Sequence, residues 1–121
     1  MLTAPHRLRD SASFRSAVRH GRRAGSATLV VHLLAPGSSR SRGEDSEPGP
    51  ARVGFVVSKA VGHAATRNRV KRRLRHLARE HVSSLPGSAV LVVRALPASA
   101  DASYAELGAD LARCLRRLRP S

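Results

Sequence analysis

Two consecutive stretches, Arg52-Val53-Gly54-Phe55-Val56-Val57-Ser58 and Thr66-Arg67-Asn68-Arg69-Val70-Lys71-Arg72-Arg73-Leu74-Arg75-His76-Leu77-Ala78-Arg79-Glu80, decide how this chain of 121 residues is read. The first alternates Val53, Phe55 and Val57 on one side with Gly54 and Val56 on the other, the period of a strand. The second puts seven Lys or Arg residues into the thirteen positions 67 to 79. Wound at 3.6 residues per turn, it gathers Val70, Leu74, Leu77 and Ala78 on one side, with Asn68, Arg72, Arg75 and Arg79 roughly opposite. Arg69, Lys71 and His76 widen the polar side, and Arg67 and Arg73 fall at its border, where a long aliphatic stem can lie along apolar surface. Like charges three or four apart on a helix repel by a few tenths of a kcal/mol per pair, and Glu80 alone cannot offset that. A face of one sign calls for an anionic partner.

Outward from this unit, Asp10 or Ser11 is placed to cap a first helix running to about His20, with Gly21 where a left-handed C-terminal cap is wanted. Phe14, Ala17 and Val18 share one face of it. Ala27-Thr28-Leu29-Val30-Val31-His32-Leu33-Leu34 reads as a strand ended by Pro36-Gly37, and the segment 36–50 holds ten Gly, Pro or Ser in fifteen residues, a flexible loop. The strands on either side of that loop are expected to be antiparallel neighbours. Gly62 marks a turn, Thr66 is the expected cap of the basic helix, and the helix should fade near Ser83-Ser84. Ser88-Ala89-Val90-Leu91-Val92-Val93-Arg94 is apolar on both faces and fits a covered central strand. Ser103-Tyr104-Ala105-Glu106 reads as a capping box opening a last helix, whose stripe is Tyr104, Leu107, Leu111, Cys114, Leu115 and Leu118. Arg113, Arg116, Arg117 and Arg119 lie toward its negative dipole end. The fold class is α+β: a small α-β-β-α-β-α sandwich, a mixed sheet with helices packed on it. It forms a single domain over 1–121, with 1–6 and 119–121 frayed.

Composition narrows the partner. A formal charge of +14 and a pI near 11.9 point to nucleic acid. No apolar run is long enough to span a membrane and the N-terminus lacks a signal-peptide core, so a cytoplasmic protein is expected. The single cysteine agrees with a reducing compartment. Twenty of the 22 basic residues are Arg, which suits forked phosphate contacts and equally fits a GC-rich genome.

No catalytic apparatus emerges. Three of the eight acidic residues, Glu44, Asp45 and Glu47, sit in the loop and the others are scattered. Glu106 and Asp110 are one turn apart and fit capping and solubility better than an ion site. The six histidines lack metal-ligand spacing, so no metal site is expected. Cys114 lies on an apolar stripe without a histidine partner, as a core residue would. With no catalytic residue in the chain, the reacting groups of any reaction it serves must come from elsewhere, as from a catalytic RNA.

At this point a resemblance enters. Ser58-Lys59, Gly62, Ala64, Arg67-Asn68-Arg69, Lys71-Arg72 and Arg75 resemble the signature of the bacterial ribonuclease P protein subunit, approximately S-K-x-x-G-x-A-x-x-R-N-R-x-K-R-x-x-R, at all ten specified positions. Arg7-Leu8, Phe14, Gly21, the strand 53–58 and the helix from Tyr104 to Leu118 follow in the family's order. The resemblance implies a left-handed β-α-β crossover, against the usual right-handed preference. It also implies an endoribonuclease holoenzyme in which an RNA subunit carries the catalytic Mg²⁺ and cleaves precursor tRNA to give the mature 5′ end. On this resemblance the protein itself would hold no cofactor and would bind the RNA 1:1. Arg67, Asn68, Arg69, Lys71, Arg72, Arg75 and Arg79 would face that RNA. Phe14, Val18, His32, Phe55, Lys59 and Arg94 would line a cleft for the 5′ leader between the first helix and the sheet. Phe14 fits either a stacking platform or a core position beneath the helix. Val18 stands where many relatives carry a second aromatic, His32 where they often carry Tyr, and His63 where Asn is frequent. A structural RNA-binding protein of the ribosome is the alternative with the same charge and the same lack of catalytic groups. A helix-turn-helix DNA binder fits less well, because strands flank the basic helix.

Overall fold

The computed structural model describes residues 11–34, 51–82, 85 and 89–118, with the backbone alone for 11–14. The expected 36–50 loop and the termini 1–6 and 119–121 lie outside these residues. In chain order the elements are α1 (Ser11–His20), β1 (Arg22–Gly25), β2 (Leu29–Leu34), β3 (Arg52–Val56), α2 (Ala64–Arg79), β4 (Val90–Ala95) and α3 (Tyr104–Leu118), with 3₁₀ turns at Lys59–Val61 and Pro97–Ala100. The result is α+β, as expected, but the sheet has four strands in the order β1-β2-β4-β3.

The sheet departs from expectation in two ways. β2 and β3, consecutive in sequence, are not neighbours: β4 lies between them, antiparallel to β2 and parallel to β3. Leu91, Val92 and Val93 of β4 are buried toward both faces, and only a central position covers a strand that is apolar on both sides. The other addition is β1, an edge strand paired antiparallel with β2. Its Arg22-Arg23-Ala24-Gly25 buries Ala24 alone, so it carries no hydrophobic alternation to announce it. Ser26 closes the hairpin: the Leu29 N–H donates to its Oγ at 3.1 Å and its own N–H donates to the Leu29 carbonyl at 2.8 Å.

The sheet faces divide the labour of packing. Leu29, Val31, Leu33, Val53, Leu91 and Val93 meet α2 and α3 in the main core, while Leu34 and Val92 meet Ala17 of α1 on the opposite face. Fully burying a Val or Leu side chain is worth roughly 1.5–3 kcal/mol, so the first face supplies most of the fold's cohesion. The last helix opens on the expected capping box: the Ser103 N–H donates to Glu106 Oε1 at 2.7 Å, and the Glu106 N–H donates to Ser103 Oγ at 3.0 Å. Its stripe reaches the core first at Leu107, and Tyr104 is 41% exposed instead of buried. At its other end Arg22 Nη1 donates to the Leu118 carbonyl at 3.1 Å, placing a cation on the negative end of the helix.

Glycine positions sharpen two local readings. Gly21 does not adopt the left-handed cap conformation; Gly62 alone among the described glycines has positive φ. Gly21 is required by closeness, since a Cβ there would fall 2.5 Å from the Ala17 carbonyl oxygen and 2.8 Å from that of Leu33. Gly62, at φ 153°, adopts a backbone conformation that other residues take up only rarely and under strain, and turns the chain directly into α2. The cap of α2 is therefore His63, whose carbonyl accepts from the Arg67 N–H at 2.9 Å, and Thr66 lies inside the helix. The helix stops at Arg79, earlier than expected, as the Glu80 and His81 N–H groups tighten onto Leu77 and Ala78.

Candidate nucleic-acid interface

In α2 the cationic sequence meets the core. Val70 and Leu74 are fully buried and Leu77 and Ala78 nearly so, seated against β3 and α3. A Cβ on Gly108 of α3 would come within 3.1 Å of Leu77, so the two helices approach closely there. On the outer side Asn68, Arg69, Arg72 and Arg79 are exposed, with Lys71 and Arg75 half-buried beside them. The structure thus brings the seven expected residues onto one helix, six of them flanking its exposed side. Arg67 is half-buried at the border, with its Nε closed off from water and unpartnered.

Two arginines fasten this helix to the segment before α3. Arg69 Nη2 donates to the Ala100 carbonyl at 3.3 Å, and Arg73 Nη1 donates to the Ala102 carbonyl at 3.2 Å. Arg73, absent from the expected set, acts as a strut. Among the described residues no carboxylate pairs with any α2 cation. The face is therefore fixed in place and, among the described residues, unpaired with any carboxylate.

The second region is the sheet face beneath α1. Register places Arg23 of β1 directly across from His32 of β2, and His32 across from Val92 of β4. One row along, Val30, Arg94 and Val56 align, so Arg94 and His32 project from the same face as diagonal neighbours. His32 is 3% exposed, and both of its ring nitrogens are buried without a hydrogen-bond partner. Leaving a buried polar group unpaired costs about 1–3 kcal/mol. Burial first, then the positive charges of Arg94 and Arg23, hold the His32 pKa below the ordinary histidine value. Val18 is 41% exposed on α1, and Lys59 is exposed in the turn after β3. The Phe14 side chain lies outside the described residues.

Phe55 does not join this group. It pairs with Val93 and packs, partly buried, into the α2–α3 core on the other face. Strand alternation puts Val56 on the α1 side in its place. Arg23 was missed because the strand that carries it was missed.

Asp110 and Cys114 are held in structural surroundings. Thr28 Oγ1 donates to Asp110 Oδ2 at 2.6 Å, and Arg113 Nη1 contacts Asp110 Oδ1 at 2.9 Å. The Thr28 hydrogen bond, against an opposing effect of burial and helped by Arg113, holds the Asp110 carboxyl below its usual range. Burial pushes the Cys114 thiol up, the opposite of an activated nucleophile. Among the described residues no three of His, Cys, Asp and Glu group so as to hold a metal ion, and no helix is long and apolar enough to cross a membrane.

Such a fold and charge distribution define a class: a small α+β domain with a cationic helix seated by its apolar side on the core. Comparison with known proteins specifies it. Residues 2–119 match the family model for ribonuclease P. The ribonuclease P protein component of a Nocardioides species is 70% identical over 118 residues, covering 98% of this chain and 95% of the relative. That of Streptomyces avermitilis is 52% identical over 118 residues, with the same coverages of 98% and 95%. The chain belongs to the ribonuclease P protein family, the protein component of that endoribonuclease, and so has an RNA partner. Among solved structures, the Staphylococcus aureus ribonuclease P protein superposes with a TM-score of 0.75 at 22% identity, covering 92% of this chain and 93% of that one. The Thermotoga maritima protein gives a TM-score of 0.73 at 22% identity, covering 94% and 98%. These two establish the fold.

Proposed function

We propose that the chain docks on the catalytic RNA subunit of ribonuclease P through the outer side of α2, and holds the 5′ leader of precursor tRNA across the sheet face beneath α1. Arg67, Asn68, Arg69, Lys71, Arg72, Arg75 and Arg79 contact the RNA subunit: the cations meet phosphates, and Asn68 donates and accepts at a sugar or base edge. The observation that carries this reading is the charge, unpaired with any carboxylate among the described residues, on a helix whose other side is locked into the core. Phe14, Val18, His32, Lys59 and Arg94 serve the leader, and Phe55 supports the sheet from behind. Magnesium ions for the cleavage belong to the RNA subunit, the protein and RNA associate 1:1, and the holoenzyme works in the cytoplasm.

The division of labour is physical. A single strand gives up little stacking or pairing to lie in a shallow charged cleft, so the protein can discriminate precursor from mature tRNA without touching the reacting phosphate. The test is reconstitution with the family's RNA subunit at low Mg²⁺. Restored 5′ cleavage is the expected result, and no stimulation by a folded protein would overturn the assignment.

A further inference from the structure

Among the described residues, the one polar side chain of the α1-covered sheet face that is both buried and unbonded is His32. Both ring nitrogens are shielded from water and lack partners. A histidine retained for packing alone normally bonds at least one nitrogen to a neighbouring carbonyl or hydroxyl. Here the nearest charged neighbours are cations: Arg23 directly across the strand pair, and Arg94 on the diagonal of the central strand. Arg52 shares this face of β3 at its far end, and α1 contributes Arg15, Arg19 and His20, all exposed. No carboxylate lies on these facing elements among the described side chains. Arg23 and Arg94 flank a histidine whose ring nitrogens are unmatched, with no carboxylate among the described side chains, and an anion is the ligand that suits this set.

We propose that Arg23, His32 and Arg94 form an anion subsite that takes a backbone phosphate of single-stranded RNA and binds it together with a proton on His32. The inference rests on the leader-binding reading above and gives that region a chemical mechanism. With the subsite empty, burial first and then the charges of Arg94 and Arg23 disfavour the protonated imidazole. A phosphodiester brings one negative charge between the arginines, offsets part of their positive field at the ring, and gives the imidazolium a charged acceptor. The proton comes from solvent, so RNA binding and proton uptake are linked: each favours the other equally. Because α1 lies on β2 and β4 and both ring nitrogens are covered, phosphate binding requires side chains on the α1 side to move aside. A tyrosine at position 32 could stack or donate one hydrogen bond but could not add charge near neutral pH, so this linkage is specific to a histidine here.

The test uses the full chain, with the His32 ring signals followed by NMR from pH 5 to 8, alone and with a single-stranded pentauridylate RNA. The expected result is an upward displacement of the His32 titration midpoint on adding RNA. RNA affinity should rise on acidification by up to about tenfold for each pH unit of that displacement. In His32→Gln the histidine-linked rise disappears. If the RNA perturbs α1 and β2 amides while the His32 midpoint stays or falls, the subsite is wrong and leader binding stands. Should the RNA perturb neither α1 nor the sheet, both readings fall. Because the unmodified chain supplies the primary measurement, a folding defect in the variant would not blunt it.

Discussion

The outer side of α2 and the sheet face under α1 both carry positive charge, yet they hold it in contrasting ways. On α2 the cations are numerous, exposed or half-buried, and redundant, and the helix is anchored chiefly by Val70, Leu74, Leu77 and Ala78. Beneath α1 the charges are few and surround a buried imidazole with no partner. The first arrangement suits a large, permanent polyanion, where affinity comes from releasing many counterions and no single contact decides it. The second suits a passing single strand, where a few groups must discriminate. One small domain thus separates docking from substrate grip by placing them on different elements.

The largest expected effect breaks the exposed side. If about six phosphates are contacted by residues 67–79, affinity for the RNA subunit falls about a thousandfold between roughly 50 and 200 mM salt. A salt titration measures this, and a flat response would contradict a docking role for α2. Detaching the same helix from the fold comes next. Leu74, fully buried, should cost about 2–5 kcal/mol as Leu74→Ala, read by urea unfolding. A loss well below that range would mean that the helix is not held by its apolar stripe. On the covered side, Phe14→Ala should weaken precursor tRNA binding by about 1–3 kcal/mol, the worth of one base stacked on an aromatic ring, with mature tRNA binding unchanged. Equal losses for the two substrates would make Phe14 a core residue.

The smallest effect concerns neither face and serves as their control. The Asp110 carboxyl titrates below its ordinary value, so its contribution to stability is present above the unfolded-state pKa and is lost as pH falls through the folded one. Asp110→Asn should remove on the order of 1 kcal/mol of stability at neutral pH and flatten the acid limb of the stability profile. RNA binding should not change. Thermal melts between about pH 2 and 7 decide it, and an unaltered acid limb would refute the role given to the Thr28 contact.

How far the sequence carried the reading differs between the same two regions. The α2 side was legible because helical periodicity assigns both the buried stripe and the exposed charges from one segment, with no long-range information. Leader-side residues depend on strand order and register, which local pattern does not contain. Hence β4 was recognised as central while its neighbours were misordered, and Phe55 was grouped with His32 although its own alternation only fixed it opposite Val56. The arginine-rich edge strand β1 lacks an apolar period, and Arg23 went unseen with it. Tyr104 fits the stripe of α3 by spacing, but that helix reaches the core one turn later, at Leu107.

The measurement that tests the division between the two faces most directly compares Arg72→Ala/Arg75→Ala with Arg94→Ala in two affinities: protein for RNA subunit, and holoenzyme for precursor relative to mature tRNA. The double variant should weaken RNA-subunit binding and lower its salt slope by about 2, leaving the precursor-to-mature ratio unchanged once the holoenzyme is saturated. Arg94→Ala should do the reverse, lowering the ratio and sparing RNA-subunit affinity. Both variants moving both quantities together would contradict the separation of docking from leader grip.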